Sequence, residues 1–229
     1  MDNFLKTIFR QHYGRWLLSL LFVSFLANLT TSCAHQPWDI DTYIQALERP
    51  ERDEYQQPDK VMEALDLKPG MVVADVGAGS GYFTRRLAQA VGNTGQVIAI
   101  DVEQKMLDYN TQELEKLGIA DRAKFILAKP DDPSLPENAV DLVFLCNVYH
   151  HIEHQVDYFA KTQSALTPNG RVVIVDFYHD ERSGKLGFSK HHLVPRERVI
   201  TNMEHAGYTL SLEHTFLSRQ YFLEFVKVQ

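Results

Sequence analysis

Between residues 71 and 176 the chain alternates between two patterns of apolar and polar positions. Short apolar runs ("MVVADV", "VIAID", "AKFILA", "VDLVFLC", "RVVIVD") predict strands at 71–76, 97–101, 123–128, 140–146 and 171–176. Apolar residues at helical spacing predict helices at 82–91, 103–117, 153–166 and 195–206. Strands alternating with amphipathic helices argue for a parallel sheet with helices on both faces. Upstream, "IDTYIQALERPERDEYQQPDKVMEALDLKPG" predicts two short helices separated by a polar stretch with Pro50 and Pro58. Val61, Leu65 and Leu67 give the second an apolar face, and Pro69-Gly70 stops it. The end differs. "YTLSLEHTFLSRQYFLEFVKV" holds two β-rich runs joined near "LSRQ" with no helix between them, which predicts an antiparallel hairpin at the sheet edge. The expected class is α/β: a doubly wound, mostly parallel seven-stranded sheet with a C-terminal antiparallel hairpin.

The first 33 residues follow another logic. Lys6, Arg10 and Arg15 precede "WLLSLLFVSFLANL", and "TTSC" closes the run. That is the charged, apolar and small-residue order of a secretory signal. The apolar run is shorter than the roughly 20 residues of a spanning helix. Cys33 after small residues resembles a bacterial lipoprotein cleavage site; an ordinary signal peptide or an uncleaved anchor is the alternative. Export or membrane anchoring through this segment is expected, with a cytoplasmic location as the other reading. The soluble domain is expected to run from 34 to 229, with N-terminal helices over 34–70.

Composition changes little in this picture. Hydrophobic residues are 45% and charged residues 23% of the 229, as in ordinary globular chains. Charge changes more. The formal net charge is −7, and residues 1–33 carry +2, so the main domain is acidic. An acidic domain argues against a nucleic-acid partner. Cys33 and Cys146 lie in very different contexts, so a structural disulfide is not expected.

Candidate chemistry begins at "VVADVGAGSG". A strand ends in Asp75, and Gly77, Gly79 and Gly81 follow at alternate positions before a helix. In such sheets ligands sit beyond the carboxyl ends of the strands. Glycines let a ligand approach the backbone closely, and a helix start offers free N–H groups. The spacing is not that of the dinucleotide fingerprint. Asp75 would add negative charge beside a pyrophosphate, but it suits a guest with an ammonium group. The second strand ends in Asp101, 24 residues after Gly77, where a carboxylate accepts hydrogen bonds from a ribose diol. The guest should carry a ribose and a cation, a description that S-adenosylmethionine fits.

With these residues in place the chain resembles the class I S-adenosylmethionine-dependent methyltransferases, of the small-molecule branch, over most of residues 58–176. "VVADVGAGSG" is similar to the family's first motif, and Asp101 matches its ribose acid. "AKPDDPSLPENAVDLVF" resembles the loop after the third strand and the entry to the fourth. By resemblance, Asp131 falls where an acid holds the adenine amino group, with Asp132 beside it. "CNVYHHI" resembles the segment after strand four, and "LTPNGRVVIVDF" the turn into strand five. The resemblance implies a Rossmann-like fold, a cofactor-binding core over 71–176 and a cofactor site that includes Asn147. It implies methyl transfer to a small-molecule acceptor.

Methyl transfer is an in-line displacement, in which proximity carries much of the catalysis. A protonated oxygen or nitrogen acceptor also needs a general base, whereas a soft acceptor needs none. His150, His151 and Asn147, after strand four, are the candidate catalytic residues, and Asp176, Phe177 and Tyr178 follow strand five. "HDERSGKLGFSKHHLVPRERV" is expected to cover the acceptor pocket, within a C-terminal portion (177–229) that also holds the last helix and the hairpin. The histidines of that segment match no zinc pattern, so no metal is expected. Two other classes remain open: a nicotinamide-dependent oxidoreductase and a non-catalytic cofactor-binding envelope protein.

Overall fold

The computed structural model describes residues 39–186 and 189–228. The expected leader over 1–33, with Cys33, lies outside the described residues. Three short helices come first: α1 (Ile40–Leu47), α2 (Glu51–Gln56) and α3 (Pro58–Leu65). Then β1 (Val72–Val76), α4 (Thr84–Val91), β2 (Gln96–Asp101), α5 (Gln104–Lys116) and β3 (Ala123–Leu127) alternate. They are followed by β4 (Val140–Cys146), α6 (Gln155–Thr162), β5 (Leu166–Phe177) and α7 (Arg196–His205), and the hairpin β6 (Tyr208–His214) and β7 (Gln220–Lys227) ends the chain. Among the described residues no helix is long and apolar enough to cross a membrane.

The seven strands form one sheet in the order β3-β2-β1-β4-β5-β7-β6. The first five are parallel, and β7 runs antiparallel to both β5 and β6. β5 begins earlier than the apolar run suggests, because Leu166 pairs with Val140 before a register shift brings Arg171 opposite Leu142. Successive side chains enter opposite cores. Val143, Leu145, Val172 and Ile174 pack with Tyr158, Phe159, Val199 and Met203 of α6 and α7. Leu142, Phe144, Val173 and Val175 pack with Val61, Leu65, Leu87 and Val91 of α3 and α4. Burying each such large side chain is worth ~1.5–3 kcal/mol, so the central strands make a rigid floor for the loops at their ends.

The stretch expected as a polar spacer between two helices is itself helical, and the reason is local. Pro50 has φ −57, near the helical value, and Glu51, Asp53 and Glu54 crowd the first turn, where the helix dipole favours them. Gln57 closes α2 in the left-handed region at φ 44, and Pro58 opens α3. The inward residues of α2 are Arg52 and Gln56. No apolar period announces a helix whose buried face is polar.

From β1 the chain goes outward to β2 and β3, then returns to β4 and β5 on the other side. The strand order therefore reverses between β1 and β4, and in such sheets the ligand crevice lies at the carboxyl ends of those strands.

Candidate active site

β1 delivers the glycine loop to this crevice. Gly79 N–H donates to Asp101 Oδ2 at 2.8 Å, and Glu103 N–H donates to Asp101 Oδ1 at 3.0 Å. Asp101, at the end of β2, thus holds the loop from the neighbouring strand. Burial raises its pKa, and those two N–H groups oppose the rise. Leu127, the register partner of Asp101 on β3, is 55% exposed, and Val102 is 60% exposed. They leave exposed apolar surface next to Asp101, one beside it in the chain and one beside it across the sheet.

Asp75 lies beneath the loop, not on its surface. It is only 3% exposed, and Thr84 Oγ1 donates to its Oδ2 at 2.6 Å. Asn110 Nδ2 in turn donates to Thr84 Oγ1 at 2.9 Å, so α4 and α5 are tied to β1 by a buried polar chain. Burial pushes the Asp75 pKa from the ordinary 3.8 up to about 6, against the Thr84 bond. Between those two pH values the folded chain binds more protons than the unfolded chain, so stability falls as pH rises through this window. Asp75→Asn removes that titration. Its gain in stability over the parent is expected to be larger at pH 8 than at pH 4, by on the order of 3 kcal/mol at about 1.4 kcal/mol per pH unit. Urea unfolding at the two pH values measures it; an equal effect at both would show that Asp75 is not held neutral by burial.

Sequence reasoning missed Arg52. Its Nη1 donates to Leu47 O at 3.1 Å, and its guanidinium lies 3.8 Å over the Tyr82 ring. Its charge is felt at Asp75, Tyr55 and Cys146. Its buried Nε has no hydrogen-bond partner among the described residues. A buried guanidinium edge of this kind suits a carboxylate. Burial pushes the neighbouring Cys146 thiol up to about 12, so it is not a thiolate near neutrality.

After β4 the chain reaches Asn147, at φ 61, and a single helical turn over Tyr149–His151. Asn147 belongs to a ring of amides. Gln220 Nε2 donates to its Oδ1 at 2.6 Å, its own Nδ2 donates to Gln56 Oε1 at 3.3 Å, and Gln56 Nε2 donates to Gln220 Oε1 at 3.1 Å. The ring locks α2 and the hairpin to the strand-four loop. Beside it, His150 Nδ1 stands 2.9 Å from both carboxylate oxygens of Asp176, and the His150 N–H donates to Asp176 Oδ2 at 3.2 Å. The two side chains are 2% and 1% exposed. An acceptor-only carboxylate at Nδ1 fixes the proton there and places the imidazole lone pair on Nε2.

The remaining expected residues lie on other connections. Asp131 and Asp132 lie on the β3–β4 connection, and neither carboxylate hydrogen-bonds to the glycine loop among the described residues. Asp132 Oδ1 accepts the Ser134 N–H at 2.8 Å, and the Asp131 carbonyl holds Lys161. The expected covering segment forms single turns at Glu181–Ser183 and Lys190–His192. Arg219, between β6 and β7, grips its carbonyls at Ser183 (2.8 Å) and Lys185 (3.0 Å) and lies 4.8 Å over the Tyr55 ring.

Comparison with known proteins adds an independent finding. A family model described as a methyltransferase domain matches residues 67–205. A ubiquinone/menaquinone biosynthesis C-methyltransferase, UbiE, of Ectopseudomonas mendocina is 29% identical over 116 residues, which are 51% of this chain and 45% of that protein. The chain thus spans about half the length of the curated relatives it matches. A solved structure, a SAM-dependent methyltransferase from Aquifex aeolicus, is 27% identical with a TM-score of 0.76, over 83% of this chain and 100% of that one. Geranyl diphosphate C-methyltransferase from Streptomyces coelicolor, 15% identical with a TM-score of 0.63 over 78% of this chain and 80% of that one, is similar in fold alone.

Proposed function

The chain belongs to the methyltransferase-domain family, and we propose that it transfers a methyl group from S-adenosylmethionine to a small-molecule acceptor. The observation that carries the cofactor site is the bond between Gly79 N–H and Asp101. A carboxylate has about four lone-pair sites, so Asp101 can hold the loop and still accept from both hydroxyls of a ribose. Val102 and Leu127 offer an apolar edge for the adenine ring, and the Arg52 guanidinium, whose charge is felt at Asp75, suits the methionine carboxylate. These groups fit a guest with a ribose, an aromatic base and an amino acid end. When bound, S-adenosylmethionine supplies an electrophilic sulfonium methyl.

The chain's own residues do the rest. The apolar floor and the covering segment exclude water. The amide ring of Gln56, Asn147 and Gln220 holds the strand-four loop against α2. His150 is oriented by Asp176, and because its Nε2 is buried it receives the acceptor's proton only once the turn over Tyr149–His151 opens toward the crevice. The small-molecule acceptor is supported by the C-methyltransferase relative, whose printed activity concerns ubiquinone and menaquinone biosynthesis.

Asp101→Ala is expected to weaken S-adenosylmethionine binding by ~1–3 kcal/mol, the range for hydrogen bonds to a charged group. Titration calorimetry on the purified protein measures it. Heat with NADH and none with S-adenosylmethionine would overturn the assignment in favour of a nicotinamide enzyme.

A further inference from the structure

The strand-four segment also borders a cleft of about 470 Å³. Five histidines line it: His150 and His151 from the turn after β4, His179 from the segment after β5, and His191 and His192 from the turn before α7. Arg198, in the first turn of α7, adds a permanent cation. Pro195, at the amino end of α7, is also in the lining, and no side chain caps that end. The positive end of the helix dipole therefore borders the cleft. Among the described residues Glu153 is the one carboxylate in the lining. Asp176 lies directly behind the lining, paired with His150, and other neighbouring acids are engaged elsewhere: Asp180 with Arg182, Glu181 with Lys190, Glu197 with Arg196.

In an acidic protein this is a concentration of imidazole rings around a permanent guanidinium cation. We propose that the cleft is an oxyanion site and that it holds a carboxylate or phosphate group of the methyl acceptor. The second half of that statement rests on the methyltransferase reading; the first does not. The electrostatics of the cleft agree. Loss of water around its ring, and then the neighbouring His150, lower the His151 pKa to about 4, with His192 adding to the effect and Asp176 opposing it. An oxyanion among these rings would relieve the repulsion and raise that pKa. A metal is the competing occupant of a histidine cleft. Among the described residues no three His, Cys, Asp or Glu side chains are arranged to hold one, and Arg198 would repel a cation.

The test is histidine-ring NMR on the purified full chain without cofactor, titrated separately with inorganic phosphate and with acetate at pH 6 and pH 8, with a pH series down to about 4 at saturating anion to read the His151 pKa. The site predicts that at least one anion raises the His151 pKa by about one unit or more, and that the stronger of the two identifies the group held. Binding should be tighter at pH 6 than at pH 8, because any ring that takes up a proton adds a positive charge to the cleft. Arg198→Gln and His192→Gln should each weaken it by about threefold or more at an unchanged melting temperature. No shift with either anion at either pH, or equal binding in both variants, overturns the oxyanion site. So does stoichiometric zinc producing the shifts when the anions do not. Calorimetry with S-adenosylmethionine on the same samples reads the other reading separately. Anion binding without cofactor binding would keep the oxyanion site and overturn its role toward a methyl acceptor.

Discussion

His150→Ala is expected to slow methyl transfer by roughly 10²–10⁴-fold while leaving S-adenosylmethionine affinity within about twofold. The argument is geometric. The side chain is 2% exposed, follows β4 at the crevice, and has Nδ1 at 2.9 Å from both oxygens of Asp176. A carboxylate so placed holds one tautomer and one ring orientation and stabilises the imidazolium that forms on proton transfer. Asp176→Asn should therefore lose much of the same rate, because an amide can donate to Nδ1 and favour the wrong tautomer. His151→Ala and Asn147→Ala separate the neighbours. His151 is held neutral to about pH 4, so it accepts a proton weakly, and Asn147 acts by positioning through its amide ring. The measurement is release of S-adenosylhomocysteine with a panel of small acceptors, alongside cofactor calorimetry for each variant. If His150→Ala and Asp176→Asn both turn over like the parent, the dyad is structural, the acceptor arrives already nucleophilic, and positioning alone carries catalysis.

That dyad also marks the limit of what the sequence displays. The strands were legible because five short apolar runs sit between helical periods, and the hairpin because two β-rich runs meet without a helix. The glycine loop and Asp101 were legible because their spacing expresses one strand-turn-helix and the next strand end. His150 was visible as a residue after strand four, but its partner is 26 residues away. Only the register of β4 on β5, with Cys146 opposite Val175, brings the two together. The amide partners of Asn147, Gln56 and Gln220, and Arg52 were invisible for another reason. They come from α2, whose buried face is polar, and from the start of β7, so neither hydrophobic pattern nor motif spacing points at them. The histidine cleft draws on three separated segments and shows in sequence only as scattered pairs.

Gly77→Ala tests the loop itself and is expected to have the largest effect on stability. Gly77 has φ +69, and an added Cβ would stand 2.3 Å from Val148 Cγ2. The left-handed conformation costs a non-glycine residue ~1–2 kcal/mol. Forcing a methyl into the Val148 side chain costs a further ~1–3 kcal/mol, because the turn after β4 must move or Val148 must leave its rotamer. Together these predict a loss of about 2–5 kcal/mol, and with it the close approach of the β1 and β4 connections that shapes the crevice. Gly118→Ala is the control. Its φ is +68, but an added Cβ there meets nothing within 4 Å, so it should show the conformational cost alone. Adding Val148→Ala to Gly77→Ala should return the packing part and leave the conformational part. The double-mutant cycle then gives a favourable coupling of about 1–3 kcal/mol. Urea unfolding of the four proteins of the cycle supplies the energies, and calorimetry shows whether S-adenosylmethionine binding recovers in the double variant. A Gly77→Ala protein that unfolds like Gly118→Ala, with no coupling to Val148, would mean that the two connections do not pack in solution as they do here.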